Sequence, residues 1–285
     1  MKTRININGK IQEDAFVSVF DHGFLFGDSV YEVINTRKNR PCFLQEHLKR
    51  LYRSAKGIDL TIPFDNSWFK EQIDRTLLDA SNDESYIRIV VSRGVGDVNI
   101  DPSSCRLPLV LIYVTPAHVY PAELYENGIN LAIVGIQRNS KKSLNPDIKT
   151  GNYLNNVLAK IESGKLGAQD ALMLNSSGYL TESTTSNFFF VREGALMTPS
   201  LDCGILAGIT RDVVIRLGGE SGFRVEEGAW PVEVLEHADE MFLTGSVKHI
   251  MPVTRLDNRV IGNGKPGSIT RSLTFLYEAF LERFD

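Results

Sequence analysis

A mixed α/β (α+β) protein of two domains is expected from three features of this chain. Short strands of period two alternate with amphipathic helices. A passage bounded by prolines, Thr115-Pro116-Ala117-His118-Val119-Tyr120-Pro121, interrupts that alternation. The 285 residues suffice for one large core or two modest ones. The expected division is a smaller N-terminal α/β domain over 1–114, a linker over 115–121 and a larger C-terminal domain over 122–285.

The chain opens on Arg4-Ile5-Asn6-Ile7, an alternating strand closed by Asn8-Gly9. Ala15-Phe16-Val17-Ser18-Val19 alternates too and reads as a strand; Asp21 to Phe26 reads as a turn, and Ser29 to Asn35 as a strand. Between Gln45 and Lys56, Leu48, Leu51, Tyr52 and Ala55 recur at helical spacing. Phe69, Ile73, Leu77 and Leu78 repeat the pattern between Trp68 and Asp79. The β-rich runs Tyr86 to Ser92 and Leu107 to Val114 complete the first domain. Beyond the linker, strands are expected at Ile129 to Val134, Asp170 to Leu174, Asn187 to Val191 and Glu240 to Thr244. Helices are expected from about Asn152, Thr210 and Pro231, and a last one over Ser268 to Glu282.

Composition excludes several classes of function. A net charge of −4, with no basic stripe interleaved with aromatics, argues against a nucleic-acid partner. No apolar run reaches the roughly 18–20 residues that cross a bilayer, and the opening strand is not a signal peptide. Cys42, Cys105 and Cys203 are widely spaced and form no C-x-x-C pair, so a reducing cytoplasm is the expected setting. His22, His47, His118, His237 and His249 lack the spacing of a metal motif, and no metal is expected.

Three segments carry candidate chemistry. Lys149 sits in Asp147-Ile148-Lys149-Thr150-Gly151-Asn152-Tyr153, ahead of a helix; covalent amine catalysis uses such a lysine, although most lysines are solvated charges. Glu182 leads Ser183-Thr184-Thr185-Ser186-Asn187 into the apolar Phe188-Phe189-Phe190. A polar wall against a buried strand suggests a pocket, the alternative being an ordinary hairpin with an exposed acid. Gly208-Ile209-Thr210 opens a helix whose unbonded N–H groups suit a phosphate, or is simply capped. Thr244-Gly245-Ser246 follows a strand as a second nest for anions. Arg50 lies on an amphipathic helix, where a solvated face is the default. An amine, an acid and an anion cradle together match what pyridoxal 5′-phosphate needs.

Taken in order, these segments resemble the fold-type IV pyridoxal-phosphate enzymes, the class IV aminotransferases. That group includes branched-chain aminotransferases, D-amino-acid aminotransferases and 4-amino-4-deoxychorismate lyases. The likeness runs from Asp21-His22-Gly23-Phe24-Leu25-Phe26-Gly27-Asp28 through Glu46-His47-Leu48-Lys49-Arg50-Leu51 to Phe242-Leu243-Thr244-Gly245-Ser246 and Met251-Pro252-Val253. It implies a two-domain architecture with the cofactor at the domain interface. By resemblance, Lys149 is the Schiff-base lysine and proton shuttle, and Glu182 pairs with the pyridine nitrogen. Arg50, Ile209, Thr210 and Ser246 hold the phosphate, and Tyr153 faces the cofactor's phenolic oxygen. The stretch from Lys149 to Tyr153 is one residue shorter than in bacterial branched-chain enzymes.

The same resemblance implies substrate contacts from Phe26, Tyr31, Tyr86, Arg88, Gly245 and Val247. Tyr86-Ile87-Arg88 is similar to the carboxylate-binding segment of branched-chain enzymes. Val30-Tyr31-Glu32-Val33 and Phe26 are closer to D-amino-acid enzymes, whose Arg-x-His trap is replaced here by Val98-Asn99-Ile100. The implied activity is ping-pong transamination between an amino acid, with a branched-chain-like L-amino acid favoured, and a 2-oxo acid such as 2-oxoglutarate. D-amino-acid or amine transamination, lyase activity and non-catalytic cofactor binding stay open. Family precedent further implies a homodimer.

Overall fold

The structure, a computed structural model, describes residues 2–283. Met1, and Phe284 and Asp285 at the end of the expected C-terminal domain, lie outside the described residues. The chain divides into two compact units: Met1–His118 with Ile148–Asn152, and Val119–Asp147 with Tyr153–Asp285. Residues 148–152 thus group with the first unit, whereas the contiguous division read from sequence puts them in the second.

The first unit is built from β1 (Arg4–Ile7), β2 (Lys10–Gln12), α1 (His22–Phe26), β3 (Ser29–Arg37), β4 (Arg40–Pro41), α2 (Leu44–Lys56), α3 (Asn66–Ala80), β5 (Ser85–Ser92) and β6 (Leu109–Pro116). Its six strands form one sheet in the order β2-β1-β6-β5-β3-β4, and every pairing is antiparallel. Alternation sends Ile87, Ile89 and Val91 to one face of β5, where they join Leu48 and Leu51 of α2 and Phe69 and Ile73 of α3 in a core closed to solvent. The Asp65 carboxylate caps α3, accepting from Trp68 N at 2.8 Å.

Two local expectations for this unit are corrected. Ala15 to Val19 pairs with no strand, and Phe16 is 91% exposed. Alternation alone does not make a strand where no neighbouring edge accepts its backbone. Asp21 to Phe26 is not a bare turn: the Asp21 carboxylate accepts from Gly23 N at 2.8 Å and caps α1.

The second unit comprises α4 (Ala122–Asn127), β7 (Ile129–Ile133), α5 (Leu154–Lys165), β8 (Asp170–Leu174), β9 (Leu180–Ser183), β10 (Asn187–Arg192), β11 (Ala195–Pro199), α6 (Ile209–Glu220), β12 (Val225–Gly228), β13 (Glu240–Gly245), β14 (His249–Leu256), β15 (Arg259–Val260) and α7 (Ser268–Arg283). The helix expected from Pro231 is a 3₁₀ turn, Val232–His237. Its sheet runs β12-β11-β10-β13-β14-β7-β8-β9, and β15 pairs with β14. β9 pairs with β10 as well as β8, so part of the strand path closes on itself. Phe188 and Phe190, Leu172, Leu180, Leu243 and Met251 fill the core beneath. No helix among the described residues is long and apolar enough to cross a membrane.

Candidate active site

In the first unit, β3 carries candidate side chains on both faces. Glu32 lies on the core side and is completely buried. A carboxylate on an apolar face requires partners, and α2 supplies two, three residues apart on one helical face. Arg50 donates to Glu32 through Nε at 2.7 Å and Nη2 at 2.8 Å, and His47 Nδ1 lies 2.7 Å from Oε2. Burial by itself would raise the Glu32 carboxyl; the Arg50 guanidinium and then His47 outweigh it and hold the group well below the usual carboxylate range. Burial lowers the His47 imidazole, which Glu32 opposes and Arg50 and Lys149 reinforce. Arg50 is therefore not on a solvated face, but the centre of a buried charge-assisted cluster.

Lys149 lies on a short extended strap against β3. Its carbonyl accepts from Tyr31 N at 3.0 Å, Gly151 N donates to Ser29 O at 2.8 Å, and Val30 bridges Thr150. Its own N–H donates to Ser54 Oγ of α2 at 3.1 Å. Glycine suits the approach, because a Cβ on Gly151 would sit 2.2 Å from Ser29 Oγ and the serine side chain would have to turn aside. The strap holds Lys149 Nζ 4.5 Å from the centroid of the Tyr31 ring, and the Arg88 guanidinium carbon lies 4.0 Å from that centroid. Arg88 pairs across the sheet with Tyr113, which stacks on Tyr86 at 6.2 Å. Tyr31, Tyr86, Arg88 and Lys149 are thus brought together. Phe26 ends α1 with its ring edge-on to His22 at 5.0 Å.

In the second unit, Glu182 on β9 is nearly closed to solvent. Arg138 Nε donates to its Oε1 at 2.9 Å, while Asn187 Nδ2 and Leu206 N each reach Oε2 at 3.1 Å. The Arg138 fork also donates to Asn155 Oδ1 at 3.2 Å. Gly208 begins α6 with no side-chain cap, and a Cβ there would fall 1.9 Å from Asn187 Oδ1. Ile209 is half-buried and Thr210 buried in the first turn. β13 ends at Gly245, and Ser246 and Val247 form the half-buried turn into β14. Tyr153 occupies the position before α5, without a capping side-chain bond.

The hydroxyls of Ser183, Ser186 and Thr244 are buried without a hydrogen-bond partner. Asn187 connects them to the start of α6, since it follows Ser186, pairs with Thr244 and abuts Gly208. Orphaned hydroxyls beside an uncapped helix N-terminus form a donor set suited to an oxygen-rich anion, and pyridoxal phosphate fits it. Sequence reasoning quoted Glu32, His47 and Asn187 within motifs but gave them no role in the site, and it did not name Arg138 at all. A signal existed for the first two, an acid in the inward phase of an apolar strand and a histidine three residues before Arg50. For Arg138 there was none.

Comparison with known proteins follows the same lines. The family model for amino-transferase class IV matches residues 29–256. The chain is 42% identical, over 95% of its length and 93% of the relative's, to a putative branched-chain-amino-acid aminotransferase of Methanocaldococcus jannaschii. An aminodeoxychorismate lyase of Bacillus subtilis is 31% identical and a D-alanine aminotransferase of Listeria monocytogenes 32%, each over 96% of this chain and 93% of the relative. Among solved structures, a branched-chain amino acid aminotransferase of Escherichia coli superposes with a TM-score of 0.93 at 30% identity, covering 99% of this chain and 94% of that one. One from Thermobaculum terrenum, solved in its pyridoxal-phosphate holo-form, has a TM-score of 0.89 at 30% identity, covering 99% of this chain and 94% of that one. The family is pyridoxal-phosphate-dependent, and its substrates are amino acids and 2-oxo acids. A family match across most of the chain, and a relative alike over nearly its whole length, settle the family: this chain belongs to the class IV aminotransferases.

Proposed function

We propose that this protein moves an amino group between a branched-chain-like L-amino acid and a 2-oxo acid such as 2-oxoglutarate. One observation carries the reading: the Lys149 ammonium and the Arg88 guanidinium share the Tyr31 ring, at 4.5 and 4.0 Å from its centroid. A substrate whose reacting carbon is at Lys149 has a cation within reach for a carboxylate. The name of the Methanocaldococcus jannaschii relative supports the branched-chain side.

Bound pyridoxal phosphate supplies an electron sink for the bonds at the substrate's α-carbon. The rest is the work of this chain's side chains. Lys149 would hold the cofactor at its aldehyde carbon and would carry a proton at Nζ. Glu182 would keep a proton on the ring nitrogen, its carboxylate oriented by Arg138 and Asn187. Arg50 presents a guanidinium to phosphate, its fork held by Glu32. Ile209, Thr210 and Ser246 would add N–H and hydroxyl donors, and Tyr153 would face the phenolic oxygen. Phe26, Tyr31, Tyr86, Gly245 and Val247 shape the substrate side.

A panel of donors in both enantiomers, read at the visible band of the bound cofactor, tests the proposal. L-Leucine, L-isoleucine and L-valine are expected to bleach that band and 2-oxoglutarate to restore it. Bleaching by D-alanine alone would move the assignment to the D-specific enzymes, and a band that no donor bleaches would move it to a lyase or a non-catalytic cofactor-binding protein. We also propose a homodimer of the cytoplasm. The dimer is supported by apolar side chains that the first unit leaves exposed, among them Phe16, Val19, Phe24, Val98, Ile100 and Leu107. Light scattering at about twice the chain mass is the expected result.

A further inference from the structure

We propose that Lys248 is a positioning residue that locks the Gly245-Ser246-Val247 turn for anion binding; this rests on the reading of Ser246 as a phosphate ligand. The turn is a tight hairpin in which Gly245 pairs with His249. It is also under strain, because His249 adopts the left-handed region at φ 52° without being glycine. Such a turn persists only if its surroundings hold it. At its far end His249 Nδ1 lies 2.8 Å from Glu278 Oε1 of α7, with its ring against Tyr277. At its near end the anchor is Lys248.

Lys248 Nζ reaches Asp170 Oδ2 at 2.5 Å and Thr185 Oγ1 at 3.2 Å, and its carbonyl accepts from Tyr125 Oη at 3.1 Å. This is not a surface ion pair: the two side chains are 14% and 2% exposed. Asp170 also accepts from Thr184 Oγ1 at 2.6 Å and Ala171 N at 2.9 Å, and Asn156 of α5 donates to Thr184 O at 2.7 Å. One carboxylate therefore ties the start of β8, the β9–β10 turn and the β13–β14 turn into a single body. Burial would raise the Asp170 carboxyl, but Lys248 and then Thr184 reverse that and lower it, as expected for a persistent charged pair. The two turns so joined carry the unpartnered hydroxyls of Ser186 and Thr244 beside Gly245, whose Cβ position lies 3.3 Å from Ser186 Oγ. Lys248 acts on the anion through this geometry, with its ammonium directed at Asp170 and Thr185.

The test compares wild type, Lys248→Met and Lys248→Arg for the dissociation constant of pyridoxal phosphate, for competition by inorganic phosphate, and for kcat at saturating cofactor. Lys248→Met is expected to bind the cofactor roughly ten- to a hundredfold more weakly and to be displaced by less phosphate, with kcat changed by less than about threefold. Lys248→Arg, which keeps the charge and the reach, is expected to recover most of the affinity. Wild-type affinity in Lys248→Met, or a loss in Lys248→Arg as large as in Lys248→Met, overturns the proposal. If Lys248→Met does not fold, the charge-neutral pair Asp170→Asn with Lys248→Gln replaces it, and unchanged affinity there overturns the proposal equally. A wild-type protein that binds no pyridoxal phosphate overturns instead the function from which the proposal starts.

Discussion

Arg138 donates to Glu182 at 2.9 Å with both side chains less than a tenth exposed, so the acid assigned to the cofactor ring is held by a cation that no local motif announces. Two roles follow for one carboxylate, and they separate by mutation. Arg138→Met leaves a buried charge unpaired and is expected to cost about 3–5 kcal/mol of stability, read by urea unfolding. Glu182→Ala is expected to slow transamination by about a hundredfold or more while the protein still retains pyridoxal phosphate. An unchanged rate in Glu182→Ala would assign the carboxylate to structure alone.

The amine is tested most directly. Borohydride reduction of the holoenzyme followed by peptide mapping is expected to place the cofactor on the peptide containing Lys149, and Lys149→Ala to abolish turnover. Label on any other lysine would sink the assignment.

Arg88 should act on one substrate more than another. Arg88→Met is expected to raise KM for 2-oxoglutarate about tenfold or more, since a charge-assisted bond to carboxylate contributes about 1.5–3 kcal/mol. The visible band should still form, because Arg88 touches no residue assigned to the phosphate. Equal kinetics for 2-oxoglutarate in the variant would remove Arg88 from the substrate contacts.

Acid should loosen the first unit through Glu32 and His47. Both have folded values below their ordinary ones, 4.5 and 6.5 respectively, so the unfolded chain binds more protons as pH falls. Their contribution is whole above those ordinary values and is lost on acidification, His47 first. Melting temperature is expected to fall from about pH 7 to pH 5, and His47→Gln to flatten that limb. The same slope in wild type and variant would place the acid sensitivity elsewhere.

Gly151→Ala brings a methyl to 2.2 Å from Ser29 Oγ. It is expected to lower stability by about 1–3 kcal/mol and to reduce activity with it. Ser29→Ala in the same chain removes the obstructing oxygen and should recover part of both losses, a coupling that a double-mutant cycle measures. Additive effects would mean that the strap relaxes in some other way.

Much of the architecture was legible because period and punctuation are local. The helical spacing of Leu48, Leu51 and Ala55 marks α2, and the apolar run from Phe188 to Val191 marks β10. Ala15 to Val19 shows where that logic stops, since a strand needs a partner that no local pattern supplies. Motif order pointed to Lys149, Glu182 and Arg50, but the groups that orient them join distant parts of the chain. Arg138 meets Glu182 across 44 positions and Lys248 meets Asp170 across 78. Glu32 is the instructive middle case. Its place on the inward phase of β3 demanded a cation, and one helix offered His47 and Arg50 at the right spacing, yet a reading by motif used it only to weigh the type of reaction.

Because residues 148–152 are bedded on β3 and α2 while both flanks of that segment belong elsewhere, the Thr115–Pro121 junction is a poor place to recombine this gene with a homologue's. A chimaera joined there would inherit Lys149, the amine proposed to react, from one parent and the residues that bed it, Ser29, Tyr31 and Ser54, from the other. Productive hybrids should therefore be those whose parents agree at these few positions, however much their surfaces diverge.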